Sequence, residues 1–368
     1  MKLHLLIVLL CATAALAQPP GSLDSQSPML TTRTNLVLVP ALVTTRTGEP
    51  VFTLTARDFV LTDDGIDQKA TLDENSGSQP LALVIAIETG GAGARQLGKY
   101  RNLGPLIEAV IGNVQHKVAL VGFDSQPYLL HDFTPDLNAI SGAMRDLTPG
   151  DHGAGILDSL RFSVDLLREQ PAAYRRAILI ISETVDHDSR ATLDETLHFI
   201  SDTNTAIYSL GFSSAKSGIK YESSRIFQSS TPGPPKGCMS KDPNADPGSS
   251  GSRLEQAFDC LSLLAPPLRI AKMAAILGMD GLRRNVPESV AQLTGGEFFK
   301  FDDARSLERD MLAISHHLPN RYLLSFYPPA PHPGFHAIGL RLKDYPNLVV
   351  QARDGYWADS ETPAAPAP

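Results

Sequence analysis

The first candidate for chemistry is Glu88, which ends an uninterrupted apolar run from Leu81 to Ile87 and enters a glycine-rich turn. A run without polar alternation is typical of a strand buried on both faces of a parallel sheet. Such sheets bind ligands at the carboxyl ends of their strands. The sequence therefore predicts a ligand site at the turn that follows Glu88.

A second candidate lies in the stretch that contains Glu183, Asp186, His187 and Asp188. Histidine and carboxylate side chains can bind zinc or move protons, so this stretch predicts, as an alternative, a zinc- or other metal-dependent hydrolase. Zinc catalysis needs about three well-placed ligands, and neighbouring residues of one loop rarely converge on one ion. A solvated acidic loop is the favoured interpretation.

Other motifs give weaker indications of chemistry. His332 and His336 flank a Pro-Gly turn, and the sequence offers them no third ligand. The glycines of Gly91 to Gly93 begin a G-x-G pattern, but the third glycine position holds Gln96, and no phosphate-binding Gly-Lys-Ser follows. No Gly-x-Ser-x-Gly motif supplies a nucleophile. We therefore expect neither a nucleotide cofactor nor covalent catalysis.

The composition places the chain among globular proteins. It has 368 residues, of which 42% are hydrophobic and 20% charged, enough for two or three ordinary domains. The formal net charge is −8 and no long basic run occurs, which argues against nucleic acid as the main partner. Beyond the first residues, no apolar stretch is long enough to predict a transmembrane segment.

The amino-terminal residues predict export. Lys2 precedes an apolar stretch that is too short to span a bilayer, and Ala15 to Ala17 resembles a cleavage site, so residues 1–17 are interpreted as a signal peptide. The protein is then secreted or periplasmic. Cys238 and Cys260 are the cysteines that remain, and we expect a disulfide between them, with two buried free thiols as the alternative.

The pattern of apolar and polar residues divides the rest of the chain into segments. Residues 18–34 are a polar, flexible leader, and residues 35–73 are an amino-terminal β segment with an Asp-Gly hairpin turn. Residues 80–318 alternate apolar strands with amphipathic helices, which predicts an α/β fold with a doubly wound, mostly parallel sheet. That region carries a long loop insertion at 213–252. Residues 319–357 are a carboxyl-terminal β segment, and 358–368 a Pro/Ala tail.

Particular strands and helices follow from the same pattern. Strands of the parallel sheet are expected at 81–87, 117–123, 176–181 and 206–212, and helices near 99–113, 137–147, 156–169 and 191–202. The two terminal β segments would each expose an apolar face alone. We therefore expect them to combine into one small β unit.

Several local phrases, taken in order, resemble a known family. They are Asp58-Phe59 before Asp63-Asp64-Gly65, Phe123 to Ser125, Leu293 to Gly296, Tyr322 to Tyr327, and Gly355-Tyr356. In this order they resemble the VWFA-related domain proteins known from Acidobacteria, over residues 35–357. The resemblance implies a von Willebrand factor type A domain, similar to the integrin I-domain fold. Such domains usually bind proteins through a metal ion and are seldom enzymes.

The metal site that this resemblance implies, called MIDAS, takes an Asp, two Ser, a Thr and a later Asp. Those positions hold Glu88, Gly90, Ala92, Ala154 and Glu183 in this chain. No hydroxyl ligand remains, and each glutamate is one methylene, about 1.5 Å, longer than aspartate. Mg²⁺ wants about six oxygens in octahedral array, so we expect a degenerate site without a cofactor, with bound Mg²⁺ as the less favoured alternative.

These considerations predict an exported, non-enzymatic interaction protein, an adhesion or scaffold protein that binds another protein or an envelope component. The predicted binding edge contains Glu88, Asp151, Glu183, Asp186 and His187. The alternatives are the metal-dependent hydrolase named above and a structural subunit of an envelope assembly.

Overall fold

The computed structural model describes residues 36–73, 79–212, 285–329 and 332–358. Its strands are β1 (Val37–Thr45), β2 (Phe59–Asp63), β3 (Ile66–Gln68), β4 (Thr71–Asp73), β5 (Leu81–Glu88), β6 (His116–Phe123), β7 (Pro127–Thr134), β8 (Arg175–Glu183), β9 (Ala206–Phe212), β10 (Glu297–Lys300), β11 (Tyr322–Phe326), β12 (Gly334–Leu342), β13 (Leu348–Ala352) and β14 (Gly355–Ala358). Its α-helices are α1 (Leu97–Tyr100), α2 (Gly104–Ile111), α3 (Leu137–Arg145), α4 (Ile156–Arg168), α5 (Leu193–Ser201), α6 (Val286–Thr294) and α7 (Ala304–His317).

Some sequence predictions fall outside the described residues. They concern the signal peptide at 1–17, the leader at 18–34, the insertion at 213–252, the Cys238–Cys260 disulfide and nearly all of the tail at 358–368. These stay predictions.

A six-stranded sheet forms the centre of the α/β region, in the order β7-β6-β5-β8-β9-β10. Neighbouring strands are parallel except for β7, which runs antiparallel to β6 at one edge. If β5 is counted as strand 1 and the others follow in chain order, this is the 3-2-1-4-5-6 order of doubly wound sheets. All eight residues of β5 are buried, so the predicted central strand and mostly parallel sheet are confirmed.

Helices cover both faces of this sheet, as the alternating side chains of β5 require. Leu83 and Ile85 point to opposite sides from Ala82 and Val84, and the two sets join separate cores. The first core contains apolar residues of α2, α3 and α7, and the second contains those of α4, α5 and α6. The carboxyl ends of the parallel strands therefore lie at one edge of the sheet, between the two layers of helices.

Strands from both parts of the chain that flank the central sheet form two four-stranded antiparallel sheets. One has the order β13-β1-β11-β4 and the other β14-β12-β2-β3, and each mixes early with late strands. Their apolar residues form a common core that includes Val39, Leu61, Leu324 and Tyr356. The small β unit expected from the two segments is therefore a pair of sheets.

Two local predictions differ from the structure. The helix expected near 99–113 is divided into α1 and α2, and Pro105 lies in the first turn of α2, where a proline favours a new helix start. The strand β7 was not predicted. It begins with Pro127, and proline is tolerated at the first residue of an edge strand because the missing N–H costs no ladder hydrogen bond.

Candidate functional site

The predicted binding edge lies where β5 and β8 end and where residues 150–155 lead into α4. β5 and β8 are neighbours in the sheet, so Glu88 and Glu183 come from adjacent strand ends. The 150–155 loop lies against Glu88's turn, because the N–H of Gly91 donates to the Asp151 carbonyl (2.8 Å) and that of Gly150 to the Thr89 carbonyl (2.9 Å).

The Glu88 carboxylate points into the protein and accepts two main-chain hydrogen bonds. The N–H of Gly93 donates to Oε1 (2.7 Å), and the N–H of Glu183 donates to Oε2 (2.6 Å). Glu88 has no exposed surface. Its carboxylate thus joins the turn after β5 to the end of β8.

Burial dominates the electrostatics of Glu88. It raises the pKa of this carboxyl to about 8, and the nearby Glu183 carboxylate acts in the same direction. The two main-chain donors oppose the shift because they stabilise the ionised form.

The other MIDAS positions do not supply metal ligands. A side chain at Gly90 would collide with the Gly153 carbonyl oxygen and come within 2.7 Å of Asp124 Cβ. Ala92 and Ala154 are buried methyl groups. Mg²⁺ needs about six oxygens, whereas both Glu88 oxygens already accept amides, so the residues present do not fit this ion.

Glu183 and His187 approach each other in the loop after β8. His187 Nε2 lies 3.7 Å from Glu183 Oε1, and the Glu183 side chain is only 5% exposed. His187 also forms an isolated β-bridge with Ala154, with N–H to carbonyl distances of 2.9 and 3.1 Å. The bridge ties this loop to the segment before α4.

Asp186 lies apart from Glu183 and His187 because it binds the start of α4. Its Oδ1 accepts the Leu157 N–H (3.1 Å) and the Ser189 hydroxyl (2.6 Å). Burial raises the pKa of Asp186, while these hydrogen bonds oppose the shift. Within the described parts of the chain, Glu183, Asp186 and His187 do not form a group of converging metal-ligand atoms.

Asp151 organises the loop in which it lies. Its carboxylate accepts the hydroxyl and N–H of Ser125 and the N–H of Gly153 (2.8 Å). These hydrogen bonds, with that of the Ser125 hydroxyl the largest influence, lower the pKa of Asp151. The exposed side chains of the edge are those of Asp151, His152, Asp188 and Arg190.

Sequence reasoning missed two further carboxylates of the edge. Asp124 Oδ2 accepts the Asp151 N–H (3.2 Å), and Asp158 accepts the N–H groups of Arg190 (3.0 Å) and Ala191 (2.9 Å). Asp158 lies in the first turn of α4, where a carboxylate is favourable. Its place near the start of a predicted helix could therefore have identified it from the sequence.

A different group of ligand atoms does converge, and it corrects the prediction that His332 and His336 have no third ligand. His332 and His336 have a third neighbour, Asp64, whose carboxylate lies within 3.3 Å of His332 Nε2 and 2.9 Å of His336 Nδ1. The sequence could not show this because Asp64 follows the hairpin strand β2, which pairs with β12 only in the folded chain.

Comparisons with known proteins find only distant structural similarities. No protein-family model matches the chain, and no curated protein matches it. Among solved structures, an aerotolerance-related membrane protein from Bacteroides fragilis is 14% identical, with a TM-score of 0.37, over 64% of this chain and 98% of that one. The VWA domain of SpRpn10 is 17% identical, with a TM-score of 0.31, over 36% and 76%. The PilB minor pilin from Streptococcus sanguinis is 13% identical, with a TM-score of 0.38, over 66% and 62%.

At these identities no function is carried over from the similar structures. None of the helices described here is long and apolar enough to cross a membrane.

Proposed function

We propose that the protein is an exported, non-enzymatic interaction protein with a type A α/β domain. Its binding surface is the carboxyl edge of the central sheet, and its partner is another protein or an envelope component. The predicted signal peptide, the order of family-like phrases and the doubly wound sheet order support this proposal.

The observation that carries the proposal is that carboxylates at the edge accept main-chain hydrogen bonds. Glu88, Asp151 and Asp186 each accept main-chain N–H groups from another segment of the edge. Carboxylates used in this way hold loops in place and do not present oxygens to a cation. The edge is thereby a preorganised surface, which lowers the entropic cost of binding a partner.

The same geometry supports the proposal of a degenerate MIDAS site. Binding at this edge proceeds without a metal ion, since the hydroxyl ligands are missing and both Glu88 oxygens accept amides. The contacting groups are then the exposed ones, among them His152, Asp188 and Arg190. Glu88 and Glu183, which are buried, support the loops from within.

The hydrolase alternative is not favoured by the geometry of its residues. Asp186 caps α4, and the Glu183 to His187 pair supplies two groups where zinc catalysis needs about three protein ligands. No particular contact favours a structural subunit of an envelope assembly over the proposed binding protein.

Affinity capture from the native envelope tests the proposal. The immobilised full chain is expected to retain the same partner in Mg²⁺ and in chelator. Arg190→Glu, which reverses an exposed charge of the edge, should weaken capture at least about tenfold if the edge forms the interface. Lys69→Glu makes the same charge change at an exposed position of the β unit and should leave capture unchanged. Capture that needs Mg²⁺, or that Arg190→Glu leaves intact, would overturn the proposal.

A further inference from the structure

A second cluster of polar side chains lies away from the sheet edge, where the turn after β2 meets the start of β12. Asp64 Oδ2 lies 2.9 Å from His336 Nδ1 and 3.3 Å from His332 Nε2. Asp63 Oδ1 lies 3.5 Å from the same His336 nitrogen. Of all the residues described, these three, Asp64, His332 and His336, are the group with metal-ligand atoms within 4.8 Å of one another.

The hydrogen bonds of the two rings determine which nitrogen atoms carry lone pairs. His336 Nε2 lies 2.7 Å from the His332 carbonyl oxygen, and His332 Nδ1 lies 3.2 Å from that of Pro333. A carbonyl oxygen only accepts, so these ring nitrogens must be the donors. In the neutral rings, His336 Nδ1 and His332 Nε2 therefore carry lone pairs, and both face Asp64 Oδ2.

With both rings neutral, three acceptor atoms thus meet with no donor between them. His336 is 3% exposed, and its Nδ1 makes no hydrogen bond of normal geometry, nor does the buried Asp63 Oδ1. Buried polar atoms normally find a partner, and a group without one suggests an ion that the site accommodates. Here a cation would satisfy all three acceptors at once.

We propose that Asp64, His332 and His336 bind one divalent borderline transition-metal ion of the zinc class. The rings already show the arrangement found at such centres, in which the second nitrogen donates to a backbone carbonyl. Zinc ligands about 2.0 to 2.2 Å from the ion lie about 3.3 Å apart at the corners of a tetrahedron. The 3.3 Å distance from Asp64 Oδ2 to His332 Nε2 matches this spacing, whereas the 2.9 Å distance to His336 Nδ1 is about 0.4 Å shorter.

Charge and mobility agree with this assignment. Asp63 and Asp64 supply two carboxylates and the rings are neutral ligands, so a divalent ion balances the local charge. The two rings stack at 4.1 Å, so His332 must turn to direct Nε2 at the ion. Its side chain is 65% exposed and has room to do so. The fourth position of the tetrahedron then faces solvent and takes water.

The bound ion would join the turn of an early hairpin to a late strand. Asp64 belongs to the turn between β2 and β3, whereas His336 belongs to β12. Metal binding should therefore raise the melting temperature of the whole protein.

Zinc titration of the full chain, after removal of metal with chelator, tests this site. Isothermal titration calorimetry should show Zn²⁺ binding at this site, and the visible spectrum of bound Co²⁺ should show tetrahedral geometry. His332→Ala removes an exposed ligand and should weaken Zn²⁺ binding by at least about 100-fold. His187→Ala removes the histidine of the rival loop and should leave binding unchanged.

Asp64→Asn is a variant that separates metal binding from folding. Asp64 has φ of 47°, a conformation that asparagine tolerates, and the new carboxamide can still accept the Ala337 N–H. Its NH₂ group would donate to the ring nitrogens. Without metal this variant should melt at least as high as the wild type, and Zn²⁺ should not raise its melting temperature.

Opposite outcomes would overturn the metal site. They are a wild-type chain that binds no Zn²⁺, Zn²⁺ binding that survives both Asp64→Asn and His332→Ala, or binding that His187→Ala abolishes.

Discussion

Glu88 illustrates, at the scale of one residue, how an extra methylene changes the use of a carboxylate at a strand end. The longer side chain reaches the N–H groups of Gly93 and Glu183, which lie on two different segments. Its oxygens are then shielded from solvent and from any cation. The buried carboxyl has a measurable consequence, because its pKa is raised from 4.5 to about 8.

The first prediction concerns pH. Folded Glu88 keeps its proton to about pH 8, whereas unfolded Glu88 loses it near pH 4.5. Its contribution to stability is therefore complete below about pH 4.5 and is lost as the pH rises to about 8. Glu88→Gln removes this titration. Relative to wild type, its free energy of unfolding should rise with pH across that window by up to about 1.4 kcal/mol per unit.

Urea unfolding at a series of pH values measures this difference. Glu108→Gln, which changes an exposed glutamate on α2, is the matched control and should follow the wild-type curve. Parallel curves for Glu88→Gln and wild type would show that Glu88 does not titrate in this window.

The sequence was informative about site residues at the ends of strands in the parallel sheet and uninformative about residues brought together by other contacts. Glu88 and Glu183 could be placed at one edge because parallel strands end together. The role of Asp186 as a helix cap depended on how one loop folds onto α4. The Asp64, His332 and His336 cluster depended on pairing between β2 and β12, which no local pattern specifies.

At the scale of elements, the position that follows α6 requires a glycine. Gly295 follows the helix with φ of 75°, and the N–H of Gly296 donates to the Ala291 carbonyl (2.9 Å), as in a glycine-terminated helix. A Cβ at Gly295 would lie 2.8 Å from the Arg353 main-chain nitrogen. The glycine thus satisfies both the helix end and the close approach of the late strands.

Gly295→Ala should therefore destabilise the protein by about 2 to 4 kcal/mol, since it combines left-handed strain with a collision. Urea unfolding at one pH measures the loss. Gly98→Ala adds the same methyl group in α1, where no atom lies within 4 Å, and should be neutral or slightly stabilising. Equal stability of the two variants would contradict this account of the helix end.

Strands and helices with strong periodicity were predictable, and those defined by tertiary contacts were not. β9 follows from its apolar run, and the end of α6 follows from its two glycines. β7 lacks a regular pattern, because one side of this edge strand is exposed and the residues Leu129 and Leu130 both face solvent in part. Its place is decided by pairing with β6.

For the whole molecule, Arg353 connects the late strands to the helical layer. Its guanidinium donates to Ser201 Oγ (3.1 Å), Asn204 Oδ1 (3.1 Å) and the Leu38 carbonyl (3.2 Å). Burial lowers the pKa of Arg353 to about 10. One side chain thereby ties β1 and the β13–β14 turn to the end of α5.

Arg353→Met should lower the free energy of unfolding by about 3 kcal/mol, because the buried Gly355 carbonyl and three partly buried acceptors lose their donor. Trp357, the single tryptophan, packs against His198 of α5 with ring centroids 4.5 Å apart and reports on this contact. In the variant, Trp357 fluorescence should change at lower urea than the far-ultraviolet circular dichroism.

Arg341→Met serves as the control for this measurement. Arg341 is exposed on β12, so the variant should keep the wild-type midpoint and coincident transitions. If Arg353→Met behaved in the same way, Arg353 would not join the two regions.

The interleaved sheets also determine the order in which the molecule can be completed. β1 lies between β11 and β13, and β2 pairs with β12, so early strands have late strands as neighbours. On a ribosome, the first strands emerge long before their partners exist, and contacts between distant segments form slowly. We therefore expect β1 and β2 to stay unpaired until the late strands have been synthesised. The two antiparallel sheets would then form last, after the central sheet has folded.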